Sequence, residues 1–201
     1  MTDLQSTFGP IDIYLFDQLL RGRIAPGMRV LDAGCGGGRN LVYLLREGFD
    51  VYGADQDAGA VEAVRTMAGG GAAAAAERFR VEPIEAMTFP GAFADVILVS
   101  AVLHFARDHE HFEAMLRGAW RTLKPGGLWF SRLASTIGME TRVKPLGAGR
   151  YRLPDGSDRY LVDEAGLLRW TAELGGRLLD PLKTTVVQDQ RSMTTWVMRK
   201  G

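Results

Sequence analysis

The sequence predicts an α/β fold, an open sheet of mostly parallel strands with helices on both faces. Apolar, strand-like runs alternate with segments of helical spacing, which implies right-handed crossovers between parallel strands. One run, Ala94 to Ser100 (ADVILVS), is apolar almost without interruption, as expected of a strand covered on both faces. A glycine-rich segment, Gly34 to Gly38, follows the first strand and opens a helix.

The elements follow in order. Ile11 to Leu20 places Ile11, Leu15 and Leu19 on one helical face. Pro26-Gly27 breaks the chain, and Met28 to Ala33 is the first strand. Asn40 to Glu47 resumes helical spacing and Gly48 stops it. Phe49 to Ala54 is the second strand, closed by Asp55, and Asp57 to Met67 is a helix with Val61, Val64 and Met67 inward. Residues 69–76 (GGGAAAAA) read as a surface helix end or mobile connector. Phe79 to Pro83 is the third strand and Ala94 to Ser100 the fourth. Asp108 to Leu123 is a long helix, ended by Lys124-Pro125-Gly126-Gly127, and Leu128 to Leu133 is the fifth strand. Residues 136–160 read as an insertion or flap, a loop or small hairpin. Asp163 to Leu174 is a helix, and Leu178 to Val187 with Ser192 to Met198 forms an antiparallel hairpin at the sheet edge.

Composition excludes several function classes. With 201 residues, one domain spanning 1–201 is expected. Lys+Arg and Asp+Glu number 24 each, so no global attraction to nucleic acid or an anionic membrane is indicated. The single cysteine, Cys35, excludes an intrachain disulfide and a Cys-rich zinc site, and fits a reducing compartment. The N-terminal stretch Met1 to Gly9 lacks a signal pattern, and Val96 to Ala106 is about half the ~20 residues a membrane span needs. A soluble cytoplasmic protein, monomer or homodimer, acting on a small molecule is expected. No metal is expected: His109 and His111, at i and i+2, point to different helix faces and read as solvated.

The glycine segment carries the most chemistry. A dinucleotide loop needs G-x-G-x-x-G with a pyrophosphate on the helix N-terminus. Counting from Gly34 puts Arg39 at the third glycine, and counting from Gly36 puts Leu41 there, so neither register completes it. What stands there is an acid followed by alternate glycines, Asp32-x-Gly34-x-Gly36-x-Gly38. A carboxylate beside such a loop suits a cationic ligand better than a pyrophosphate.

This pattern resembles motif I of the class I S-adenosylmethionine-dependent methyltransferases. The resemblance continues in Asp55 after the second strand, in Ile84-Glu85-Ala86 after the third, in Asp95 to Phe105, and in the LKPGG turn before the fifth strand. It implies a Rossmann-like, doubly wound seven-stranded sheet in the order 3-2-1-4-5-7-6 with strand 7 antiparallel. Small-molecule methyltransferases, including the tellurite-resistance type, look most similar. The implied cofactor is S-adenosyl-L-methionine, with S-adenosyl-L-homocysteine as product.

The resemblance also implies site residues. Asp32, Gly34, Cys35 and Gly36 line the cofactor, with Asp55 and Gln56 at the ribose and Ile84, Glu85 and Ala86 at the adenine. Many members place an acid just after the third strand. Here Pro83 takes that place, and Glu85 is the substitute. Arg39 reaches the methionine carboxylate, Asn40 opens the helix, and Ser100 ends the fourth strand. Tyr14 on the N-terminal helix (the lid, residues 1–22) touches the cofactor. His104 is the catalytic candidate, a base for an attacking hydroxyl or amine, because its ordinary pKa lies near 6.5. Arg132 faces the substrate, and Arg142, Lys144, Arg150 and Arg152 make the flap a candidate lid for an anionic substrate. Two other readings are a non-catalytic domain that binds the cofactor or its product, and an NAD-dependent dehydrogenase. The missing third glycine weighs against the second.

Overall fold

The computed structural model describes residues 3–201; Met1 and Thr2, which open the expected lid, lie outside the described residues. Two short helices, α1 (Leu4–Phe8) and α2 (Ile13–Leu20), precede strand β1 (Arg29–Ala33). Then come α3 (Val42–Arg46), β2 (Asp50–Asp55), α4 (Ala58–Ala68), α5 (Ala72–Arg78) and β3 (Phe79–Val81). A 3-10 turn, Ile84–Ala86, leads to β4 (Ala94–Ser100), and a second, Leu103–Phe105, leads to α6 (His109–Thr122). After β5 (Leu123–Ala134) the chain forms β6 (Lys144–Gly147), β7 (Arg150–Arg152) and β8 (Asp158–Tyr160). It ends with α7 (Glu164–Glu173), β9 (Gly176–Leu178), β10 (Lys183–Val187) and β11 (Arg191–Lys200).

The main sheet runs β3-β2-β1-β4-β5-β11-β10. The first five are mutually parallel, and β11 is antiparallel to both neighbours. This is the expected order, with β10 and β11 as strands six and seven. The expected sixth run divides in two: β9 pairs with the far end of β11. The break falls at Asp180-Pro181. Proline has no N–H for the ladder, and Asp180 is drawn to Arg23 at 2.7 Å and Gln18 at 3.2 Å.

Strand alternation builds a core on each face. Leu31, Ile97, Val99, Trp129 and Trp196 pack under Phe112, Leu116 and Trp120 of α6 and Leu167 of α7. Their neighbours Val30, Val96, Leu98, Phe130 and Val197 pack under Leu15, Leu44, Val61 and Val64 from α2, α3 and α4. With both faces covered, the carboxyl ends of β1, β2 and β4 open at one rim, where ligands sit in open α/β sheets.

Several elements differ from expectation. An extra helix, α1, is held by Phe8, which stacks on Tyr43 at 5.0 Å. The connector at 69–76 breaks at its three glycines and then enters a helix of its own, α5, because the alanine run propagates once Gly71 supplies the start. Helix α3 is shorter than expected, and LKPGG is absorbed into β5 with a shift of register against β4. The flap is a three-stranded antiparallel sheet, β6-β7-β8, over a small core of Ala134, Met139, Val143, Leu153 and Leu161. Among the described residues no helix is long and apolar enough to cross a membrane.

A buried carboxylate ties the N-terminal segment to the sheet. Asp12 caps α2 by accepting from the Tyr14 amide at 3.0 Å, and its other oxygen meets Arg132 of β5 at 3.1 Å. The Asp12 side chain is fully buried and Arg132 is 23% exposed. Asp12→Ala is therefore expected to lose the cap and strand Arg132, costing about 3 kcal/mol, at the low end of the range for a broken buried pair because Arg132 reaches solvent. Urea unfolding checks this, and Asp12→Asn, which keeps a capping oxygen, is expected to recover about 1 kcal/mol.

Candidate functional site

After β1 the chain turns through Gly34–Gly38 and is stitched to the end of β2. The Gly34 and Cys35 amides donate to the Ala54 carbonyl at 2.7 and 3.0 Å. Gly34 has φ +85°, and a Cβ there would lie 2.4 Å from Val102 Cγ2. Gly36 has φ +49°, and a Cβ there would meet nothing within 4 Å, so its backbone borders open space. The Gly36 amide donates to Asp55 Oδ2 at 2.9 Å, while Asp55 Oδ1 accepts from the Asp57 amide at 2.9 Å. The carboxylate that closes β2 thus sets both the loop and the start of α4.

This loop borders a cavity of about 680 Å3. The expected residues Gly34, Cys35, Gly36, Arg39, Asn40, Asp55, Gln56, Ile84, Glu85 and Ser100 all line it. Arg39 donates to Ser100 Oγ at 3.0 Å and lies 3.8 Å from Asp12. Asn40 does not cap α3; its Oδ1 accepts from the Asp12 amide at 3.0 Å and so joins loop to N-terminal segment. Glu85 faces His111 at 3.2 Å.

Asp32 lies just behind this wall. It is buried, and its Oδ1 has no hydrogen-bond partner. Burial pushes its carboxyl up to about 8, the Asp55 charge adds to the shift, and Arg39 opposes it. An orphaned acid in this position calls for a cation. Cys35 contributes backbone, since burial, with Asp32 and Asp55 adding, raises its thiol far above the ordinary value.

Besides Asp32, two expected residues do not line this cavity. Ala86 belongs to the adjoining 3-10 turn, where its amide bonds to the Pro83 carbonyl at 3.0 Å. Tyr14 is turned away: its hydroxyl sits 2.7 Å from Thr185 Oγ1, and the Arg132 guanidinium lies over its ring at 5.4 Å. Pro10 takes the place expected of Tyr14 at the cavity, because the Asp12 tie holds α2 beside β5.

His104 lines a second cavity of about 360 Å3, with Arg132. Its Nδ1 accepts from the Ala134 amide at 3.3 Å, so the neutral ring carries its proton on Nε2. Burial, with Arg159 and Arg191 adding, lowers its pKa to about 4. At neutral pH the ring is therefore uncharged, with a hydrogen-bond donor at Nε2. The two cavities share Ala101 and Phe105 in their walls.

Of the other two histidines, His109 is exposed, as expected, and His111 is partly buried. His109 Nδ1 lies 2.8 Å from the Tyr160 hydroxyl. The His111 ring is fixed by the Arg107 amide at 3.1 Å and meets Glu85 at 3.2 Å in the wall of the first cavity. Of the flap's basic residues, Arg142 pairs with Asp189 at 3.2 Å and Arg152 with Asp158, and neither lines either of these two cavities. Among the described residues no cluster could hold a metal ion.

Sequence reasoning missed Glu82, His111 and Met115, which also line the first cavity. Glu82 is the acid directly after β3, one place before Pro83, but its carboxylate accepts from Thr88 at 2.8 and 2.5 Å. His111 and Met115 had no local signal, because α6 was legible only as a helix with an apolar face.

S-Adenosylmethionine fits this set of groups. Asp32 offers a carboxyl without a partner to a cationic tail, and Asp55 offers carboxylate oxygens to a ribose diol. Ile84, Met115 and Val102 supply apolar wall for a base, and Arg39 a cation for a carboxylate.

A family model described as "Methyltransferase domain" matches residues 31–131. A ubiquinone biosynthesis O-methyltransferase of Chelativorans sp. (strain BNC1) is 32% identical over 170 residues, covering 78% of this chain and 64% of that protein. The chain thus spans less than two thirds of that relative's length. Two solved structures share the fold. A SAM-dependent methyltransferase from Methanosarcina mazei superposes with a TM-score of 0.72 at 18% identity, over 90% of this chain and 96% of that one. The 1,6-didemethyltoxoflavin-N1-methyltransferase of Burkholderia thailandensis, solved with its substrate and S-adenosylhomocysteine, gives 0.68 at 17% identity, over 98% and 81%. With a family match over half its length on the strands and glycine loop just described, the chain belongs to the methyltransferase-domain family, the class I S-adenosylmethionine-dependent methyltransferases.

Proposed function

We propose that this protein transfers a methyl group from S-adenosylmethionine to a small-molecule acceptor. The observation that carries this reading is the buried, partnerless Asp32 carboxyl behind a glycine loop whose amide is held by Asp55. When bound, the cofactor supplies a methyl group already activated on a sulfonium. The chain's own residues bind, orient and exclude water. Asp55 holds the ribose, Asp32 faces the cationic tail, and Arg39, steadied by Ser100, holds the carboxylate end. Such positioning can supply roughly 7–11 kcal/mol of barrier lowering. The His104 Nε2–H donates a hydrogen bond to the acceptor, and the ring removes no proton from it. An acceptor that arrives ionised, or as a neutral amine, needs no base.

Zero net charge supports a small molecule over nucleic acid, and the single, inert cysteine supports the cytoplasm, with the protein a monomer or homodimer. The relatives' names, an O-methyltransferase and an N-methyltransferase, support the class of reaction. Calorimetry with S-adenosylhomocysteine tests the reading. Binding in the micromolar range is expected, with at least a hundredfold loss in Asp55→Ala and no heat from NAD. Binding of NAD alone would sink it, and turnover in an acceptor screen separates an enzyme from a non-catalytic binder.

A further inference from the structure

The second cavity shares the wall residues Ala101 and Phe105 with the cofactor cavity and is lined by arginines from three separate elements. We infer that it is the acceptor site and that it selects small organic acids, molecules with a carboxylate on an apolar body. This rests on the methyltransferase reading for its place beside the cofactor.

The charges decide the class. Arg132 comes from β5 and is already neutralised by Asp12 at 3.1 Å. Arg159 comes from β8 and Arg191 opens β11, and among the described residues neither has a carboxylate within 4.0 Å. Arg159 donates to the Asp158 carbonyl at 2.8 Å and lies over the Phe105 ring at 5.0 Å, half-buried. One carboxylate, Asp155, also lines the cavity. One of its oxygens is occupied in a turn, accepting from the Ser157 amide at 2.9 Å and hydroxyl at 2.6 Å. The cavity therefore carries an unbalanced cation.

A planar guanidinium presents paired donors that match a carboxylate. The neutral His104 ring adds a donor at Nε2, because its Nδ1 is taken by the Ala134 amide. Apart from Ser157, the remaining wall is apolar, from Phe105, Ala134, Leu153, Val187 and Met193 among others. An acid with its carboxylate at Arg159 and Arg191 can lay its body along that wall and reach the shared Ala101–Phe105 edge with its methyl-accepting atom. The acid selectivity expected of the flap thus falls on Arg159, not on the paired Arg142 and Arg152.

The test uses the full chain saturated with S-adenosylhomocysteine, titrated with benzoate, salicylate and hexanoate, each against its methyl ester. At least one acid is expected to bind tenfold or more tightly than its ester. Arg159→Gln/Arg191→Gln is expected to remove that preference while leaving ester and S-adenosylhomocysteine affinities unchanged, which also reports an intact fold. If no acid outbinds its ester, or if the preference survives in the double variant, the inference is overturned. Failure of S-adenosylhomocysteine to bind the wild type would instead overturn the methyltransferase reading, and the acid–ester comparison would still decide this one.

Discussion

Below pH 8, binding of S-adenosylmethionine is expected to release close to one proton, and Asp32→Asn is expected to abolish that release. The free protein holds the Asp32 carboxyl at about 8, chiefly through burial. An unfolded aspartate titrates near 3.9. Between about pH 4 and 8 the native state therefore keeps a proton that the unfolded state has lost. The sign follows: this group's contribution to stability is full below pH 4 and falls through the window, by up to about 1.4 kcal/mol per pH unit. A cation placed against Asp32 favours the charged form and pulls its pKa down. Affinity for the cofactor then rises by up to about tenfold per pH unit toward pH 8. Asparagine cannot ionise, so the variant is expected to bind with a flat pH profile, more weakly at pH 8, and to lose less stability on going from pH 5 to 8. Calorimetry in phosphate and in Tris, whose ionisation heats differ, counts the protons directly. Equal proton counts in wild type and variant would show that Asp32 does not face the cation.

The parts of this site carried by local pattern were legible in the sequence. The alternation of apolar runs gave the parallel strands, and the uninterrupted ADVILVS run gave the one covered on both faces. Asp32, the glycines and Asp55 were legible because one turn between β1 and its helix brings them together, and ten of the thirteen expected cofactor residues line one cavity. What the sequence did not carry was set by distant contacts. Tyr14 faces Thr185, 171 residues away, and His104 is fixed by Ala134, 30 residues on. Neither pairing leaves a trace in spacing, so helix membership suggested a lid and ordinary titration suggested a base. The flap was read as a loop or small hairpin because its strands are only three or four residues long and its five-residue core is assembled from scattered positions. The basic flap was legible in composition, but which arginines are paired depends on where Asp158 and Asp189 lie in space.

Gly34→Ala is expected to cost about 2–4 kcal/mol and to reduce S-adenosylhomocysteine affinity at least a hundredfold. Two separable effects add. A residue with a Cβ at φ +85° sits in the left-handed region, at about 1–2 kcal/mol. The new methyl would also stand 2.4 and 2.8 Å from the two Val102 methyl groups, far inside contact distance. Val102 cannot swing clear cheaply, because it begins the 3-10 turn Leu103–Phe105 and packs against the core. The loop or that turn must move, and both line the cavity. Val102→Ala removes the two offending methyls at a cost of its own. In Gly34→Ala/Val102→Ala the clash is relieved and the backbone strain remains. The double-mutant cycle is therefore expected to show a favourable coupling of about 1–2 kcal/mol, with cofactor affinity partly restored. A coupling near zero would mean that Gly34 is required only for its backbone conformation. Wild-type stability and affinity in the single variant would mean that the loop does not set the distance between β1 and the β4 turn.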